Sequence, residues 1–145
     1  MVAPIPIATA ALVRDGLVLM AHRHPMRQAY PDRWALVGGH VEPGELPHQA
    51  VIRECLEEVG VHVHDPLPIP MTVSDPALNM HGFLVTRWDG EPVIAAPEEH
   101  DDLRWFRPSD LADLKLAHPE SLSSILSAVQ AGALAFSHAD SQMQS

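Results

Sequence analysis

Residues 39 to 61 read GHVEPGELPHQAVIRECLEEVGV, from Gly39 to Val61. Within it, Glu54, Glu57 and Glu58 stand at i, i+3 and i+4. On a helix those positions share one face, within an arc of about 100°. Like charges set this close repel and weaken the helix unless a cation sits among them. A hard divalent cation with oxygen ligands answers that need, and magnesium that also meets phosphate oxygens is its common use. The competing reading is a solvated acidic helix.

The segment carries helix punctuation. Pro47 suits the first helical position, where its missing N–H costs nothing. Gly60 suits the position just past the end, where a left-handed backbone is needed. Val51, Cys55, Leu56 and Val59 form an apolar stripe beside the acidic one. One face should therefore bury on a sheet while the neighbouring face points into a cleft. Arg53 adjoins the acidic arc and can hold a carboxylate in place. The lead-in, Gly38-Gly39-His40-Val41-Glu42-Pro43-Gly44, reads as a loop whose backbone can approach the same cation or phosphates.

The stretch resembles the Nudix box: G, five residues, E, seven residues, REU, one residue, EE, one residue, GU, with U apolar. Gly39, Glu45, Arg53-Glu54, Glu57-Glu58 and Gly60 supply the fixed identities, and Cys55 and Val61 the two U positions. Chance agreement is on the order of 10⁻⁸ per start position, so the match outweighs the solvated-helix reading. Two stretches beyond the box, FLVTRWDGEP (Phe83 to Pro92) and PEEHDDLRWF (Pro97 to Phe106), look like the MutT-type branch. Two positions depart from the family pattern. Val37 replaces a common Pro before the double glycine, and Leu46 replaces a Thr or Ser cap, a loss of about 1 kcal/mol.

Composition bounds the rest. A chain of 145 residues with 46% apolar content suits one domain with a real core. We take residues 1–136 as that domain and 137–145 as a flexible tail. The net charge of −10, with no basic patch, disfavours binding to a nucleic acid backbone. One cysteine allows no internal disulfide and no cysteine-based zinc site. The N-terminus lacks a basic region before its apolar run, and no membrane span is visible, so the cytoplasm is the expected compartment. Most of the ten histidines read as surface or cleft residues rather than metal ligands.

Strands are expected at Ile7–Val13, Leu17–Ala21, Trp34–Val37, Val61–His64, Met71–Ser74, Met80–Trp88 and Leu103–Phe106. Asp15-Gly16 reads as a hairpin turn and Asp89-Gly90 as a second turn. Pro66, Pro68 and Pro70 mark an extended connector. Helices are expected over Pro47–Val59, Pro108–Leu114 and Glu120–Ala131, the last stopped by Gly132. This order predicts an α/β (α+β) fold, an α/β/α sandwich with a mixed sheet between helices. The Nudix resemblance implies the same.

The resemblance further implies hydrolysis of a nucleoside diphosphate linked to another moiety. Glu54, Glu57 and Glu58 would hold Mg²⁺ (or Mn²⁺), with a carbonyl of Gly38 or Gly39. The base would be Glu54 or Glu98, with Glu99, Asp101 and Asp102 competing for the second role. Glu45 would pair with Arg53 and brace the loop. Arg23 is a candidate phosphate contact and can equally be a surface charge; His118 is a candidate base contact after the last strand, and a surface histidine is the reading favoured over it. Trp34 reads as core rather than as a stacking platform.

The first expected activity is release of pyrophosphate from a nucleoside triphosphate, with 8-oxo-dGTP the first substrate to test. The second is ADP-ribose or nucleotide-sugar hydrolysis, because Pro76 stands 15 residues past the box. A catalytically silent nucleotide-binding domain is the third, disfavoured by a complete box. The expected partner is a small nucleotide, not a nucleic acid polymer or a membrane, and the chain is expected to be a monomer or homodimer.

Overall fold

A computed structural model describes residues 2 to 144, with side chains described for residues 2 to 134. The strands are β1 (Ile5–Arg14), β2 (Leu17–Arg23), β3 (Trp34–Ala35), β4 (Val37–His40), β5 (His62–His64), β6 (Leu67–Ile69), β7 (Leu78–Val85), β8 (Arg87–Asp89) and β9 (His100–Phe106). The helices are α1 (Pro47–Val59) and α2 (Leu122–Gln144), with 3₁₀ turns at Pro108–Asp113 and Pro119–Ser121.

Seven strands form one sheet in the order β3-β2-β1-β7-β6. In addition, β4 pairs with β1 and β9 with β2. The β1–β7 pair is parallel and the others antiparallel, so the sheet is mixed as expected. A separate ribbon joins β5 to β8.

Period-two alternation splits the sheet between two cores. Ala8, Ala10 and Leu12 of β1, with Leu19 and Ala21 of β2, pack against Val51, Cys55 and Val59 of α1. Ala11 and Val13, with Val18 and Met20, pack against Ile125, Ala128 and Val129 of α2 and against Leu111. One helix therefore covers each face, giving the α/β/α sandwich.

Several local readings need correction. Leu56, expected in the apolar stripe, is 54% exposed. The glycine lead-in is a strand over its first residues: Gly38 and Gly39 pair with Thr9 and Ala8 of β1. Leu36 separates β3 from β4, so the expected Trp34–Val37 strand is two pieces. Met71–Ser74 is not a strand, and the proline connector contains one instead. Leu67–Ile69 pairs with β7 at the sheet's outer edge. An edge strand tolerates Pro68 because no further strand needs its N–H.

Gly132 does not stop the last helix, which runs on to Gln144. A Cβ there would stand 2.8 Å from Val13 Cγ1. This glycine thus lets α2 approach β1 closely rather than ending the helix. The side chains of the tail expected at 137–145 lie outside the described residues. Among the described residues, no helix is long and apolar enough to cross a membrane.

Candidate active site

Helix α1 has the punctuation its sequence announces. Pro47 opens it, and Gly60 closes it at φ 71°, where the Gly60 N–H donates to the Leu56 carbonyl. Leu46, at the cap, cannot accept a hydrogen bond through its side chain. Half of a capping box remains, in which the Leu46 N–H donates to Gln49 Oε1 at 2.9 Å.

From this helix Glu54 and Glu58 enter a cleft between β1, β4 and the start of β9. Glu58 is buried, and its Oε2 accepts a hydrogen bond from the Gly38 N–H at 3.1 Å. Gly39 carries only hydrogen where a Cβ would stand 2.6 Å from the Glu54 carboxylate. Gly38 is equally constrained, since a Cβ there would meet the Ala8 carbonyl oxygen at 2.1 Å. The double glycine therefore serves close approach: one residue to β1, the other to a carboxylate.

Glu57 points elsewhere. Its side chain is 56% exposed and accepts from Arg53 Nη1 at 3.2 Å. It lies at the rim, not in the wall of the cleft. Arg53 organises the group. It binds Glu45 through two parallel hydrogen bonds and donates to Glu54 Oε1 at 2.9 Å and to the His40 carbonyl at 3.0 Å. These bonds push Glu45 down to about 2 and hold Arg53 firmly protonated.

The loop before β9 adds a carboxylate, and it is that of Glu99. Glu98 is exposed and does not line the cleft, whereas Glu99 lines it with a carboxylate oxygen within 4.8 Å of one of Glu58. The two lie in a turn, in which the Glu99 and His100 N–H groups donate to the Ala96 carbonyl, and that turn presents Glu99 to the cleft. Asp101 turns instead to His22, with Oδ1 2.5 Å from Nδ1. Asp102 pairs with Arg104.

Ligand atoms of Glu58, Glu99 and His100 lie within 4.8 Å of one another. Burial, then the Glu99 hydrogen bond, pushes Glu58 up to about 10. Burial likewise raises Glu54 above the usual carboxylate range, against the pull of Arg53. A buried carboxyl and a half-buried one set this close need a proton or a cation between them. Hard oxygen donors in this number, beside a glycine backbone that admits the Glu54 carboxylate, fit a divalent cation such as Mg²⁺.

The rest of the cleft changes character. Arg23 sits at the side, held by the Ala29 and Tyr30 carbonyls, with Nη2 to Ala29 at 2.8 Å. Burial lowers its guanidinium to about 10, with a smaller push from Arg27. Beyond it lie Tyr30, Met71, Val73 and His118. The His118 ring lies 4.5 Å from that of Tyr30. Burial lowers the His118 imidazole below its usual value. Tyr30 donates to Asp75 Oδ2 at 2.5 Å. Trp34 also lines the cleft, half-buried and edge-on to His22 and Phe106. Pro76 does not line it.

Tyr30, Asp75 and His100 carry no motif, and sequence reading missed them. Among the described residues, four non-glycine residues have positive φ, Asp15, Tyr30, Asp32 and Asp65, and of these Tyr30, at 50°, is the bulky one and lines the cleft. Such left-handed backbone in a bulky residue signals a constrained functional loop, but it is visible only in three dimensions.

Comparison with known proteins agrees with this geometry. The NUDIX domain family model matches residues 4–127. An NAD-capped RNA hydrolase, NudC, from Stutzerimonas stutzeri is 36% identical over 110 residues, which are 71% of this chain but 37% of that protein. The nucleoside triphosphatase NudI of Escherichia fergusonii is 31% identical over 131 residues, 81% of this chain and 93% of the relative. The crystal structure of a MutT NUDIX hydrolase from Burkholderia pseudomallei superposes with a TM-score of 0.74 at 30% identity, covering 85% of this chain and 98% of the other. The family match takes in every strand of the sheet and the whole acidic helix, so this chain belongs to the Nudix family, hydrolases that act on phosphoanhydride bonds.

Proposed function

We propose that the chain is a magnesium-dependent pyrophosphohydrolase that cleaves a nucleoside triphosphate to a nucleoside monophosphate and pyrophosphate. The observation that carries this reading is the polarity of the cleft. Glu54, Glu58 and Glu99 gather at one end, and Tyr30, Met71, Val73 and His118 line the other, with Arg23 between them. A nucleotide has the same order of parts: a charged phosphate chain, then an aromatic base.

In this reading Glu54, Glu58 and Glu99 hold the cation, joined by Glu57 swung in from the rim and by a carbonyl of Gly39. Mn²⁺ fits the same donors. A bound cation would neutralise phosphate charge and lower the pKa of an attacking water. Arg53 fixes the rotamers of Glu45 and Glu54, so the acidic ridge needs little rearrangement. Glu54 or Glu99 takes the proton from water, since both stand in the cleft while Glu98 does not. Arg23 meets a phosphate oxygen with the guanidinium edge its backbone partners leave free. His118 and Tyr30 flank the base. Thr9 Oγ1, buried in the same wall without a hydrogen-bond partner among the described residues, has acceptor and donor capacity for a ligand.

Product analysis on a panel of triphosphates, 8-oxo-dGTP included, at millimolar Mg²⁺ tests this. Pyrophosphate and monophosphate as products are expected. AMP with ribose phosphate from ADP-ribose, and no triphosphate turnover, would replace this reading with the nucleotide-sugar one. Nucleotide binding without any turnover would mark a silent binding domain. We further propose that the chain works in the cytoplasm as a single domain, as monomer or homodimer.

A further inference from the structure

The β5–β8 ribbon places three metal-ligating side chains together, outside the acidic cleft. His62 and His64 are two apart on β5 and so share a face. Asp89 of β8 is the cross-strand partner of His62, which sets its side chain on that face too. His64 Nε2 lies 2.7 Å from Asp89 Oδ2, and the two imidazole rings stand 5.0 Å apart at 85°. One ligand atom from each of the three lies within 4.8 Å of the others. None of the three lines the acidic cleft.

The register that presents them is locked from behind. Val63, between the histidines, is 2% exposed and belongs to the core that packs on α1. Sliding β5 by one residue would bury both histidines and expose Val63, so the ribbon holds its ligand face outward. Arg87, on the same face, turns its charge to Asp65 at 3.3 Å. Metal–ligand bonds of about 2.0–2.1 Å in a tetrahedron set ligand atoms roughly 3.4 Å apart. To take that spacing, His64 and Asp89 would part from 2.7 Å, and any pair farther apart, none beyond 4.8 Å, would close.

We infer that His62, His64 and Asp89 form a second metal site, distinct from the acidic cleft, that takes a borderline transition-metal ion such as Zn²⁺ with water in the remaining position. Two imidazoles and one carboxylate suit Zn²⁺, Ni²⁺ and Cu²⁺, whereas Mg²⁺ and Ca²⁺ call for oxygen donors. The two sites therefore sort ions by donor chemistry. The ribbon site also borders a second cavity lined by Arg14, Arg87 and Trp88. A water position on a bound ion could exchange there for an anionic group.

The test is calorimetric titration of the full chain with zinc chloride in millimolar Mg²⁺, wild type against the His62→Ala/His64→Ala double variant, so that any zinc taken by the acidic cleft is common to both. One equivalent of Zn²⁺ is expected to bind. His62→Ala and His64→Ala should each weaken capture by more than about tenfold, and Asp89→Asn by less. Replacing zinc should give the order Cu²⁺ tighter than Ni²⁺, and Ni²⁺ tighter than Co²⁺. All three residues are at least partly exposed, so these variants should fold. No zinc capture by the wild type, or undiminished capture by the His62→Ala/His64→Ala double variant, overturns the assignment.

Discussion

Arg53 grips Glu45 with two parallel hydrogen bonds, Nε to Oε2 at 2.9 Å and Nη2 to Oε1 at 3.0 Å. The same guanidinium reaches Glu54 at 2.9 Å, so the loop before α1 and the ridge on α1 share one cation. Lysine cannot reproduce that fork. Arg53→Lys and Glu45→Gln should each lower kcat/KM by about 10–100-fold, the usual cost of losing a group that orients ligands. Steady-state kinetics at fixed Mg²⁺ check this; full activity in the Arg53→Lys variant would show that charge alone suffices.

The carboxylates should separate by position. Glu99→Gln, inside the cleft, should reduce kcat by about 10²-fold or more, while Glu98→Gln should leave it within about twofold. Glu57→Gln should also lose several orders of magnitude in kcat with an unchanged Tm, because its exposed side chain leaves no buried gap. Parallel kinetics and thermal melts decide. Equal losses at Glu98 and Glu99 would contradict the cleft geometry.

The two glycines predict different failures. Gly39→Ala sets a methyl against the end of the Glu54 side chain, which can move. Activity should drop roughly 10²-fold through that displacement, with little change in Tm. Gly38→Ala instead meets the Ala8 backbone, which cannot move cheaply, and should cost about 1–3 kcal/mol of stability or more. Urea unfolding of both variants distinguishes the two.

Leu46 is 55% exposed at the α1 cap and leaves the first-turn N–H groups without a side-chain acceptor. Leu46→Ser restores that acceptor while Gln49 keeps the reciprocal bond. Stability should rise by about 0.5–1 kcal/mol, a Tm increase of roughly 2–4 °C. Differential scanning calorimetry reads it directly.

His100 predicts a pH slope. Burial, with a lesser push from Arg27, lowers its imidazole from 6.5 to about 4 in the folded chain. The unfolded chain therefore binds the proton first. The stability His100 gives is complete above pH 6.5 and drains as pH falls through about 4. Glu58 acts oppositely: its raised value gives stability that is complete below 4.5 and is lost as pH rises toward 10. The readout is thus the difference between wild type and His100→Gln, measured by urea unfolding without metal at pH 7.5 and 5. Going down in pH, wild type should lose about 1–2 kcal/mol relative to the variant. Parallel pH profiles would refute the buried neutral imidazole.

The acidic helix, its ends and its family follow from the order of amino acids alone. Those depend on local rules: Pro47 at the first turn, Gly60 past the last, and carboxylates three and four apart on one face. The strands β1 and β2 were legible for the same reason, as apolar runs parted by the Asp15-Gly16 turn, but which residues face which helix was not, because both faces are buried. Only the assembled fold places Glu99 rather than Glu98 in the cleft, because the facing of a loop residue depends on how β9 registers with β2. The same holds for Glu57 at the rim, for Gly132 as a packing contact rather than a stop, and for the edge strand among the prolines around Leu67. Each of these turns on which surface lies opposite a residue, and that surface is made by chain distant in sequence.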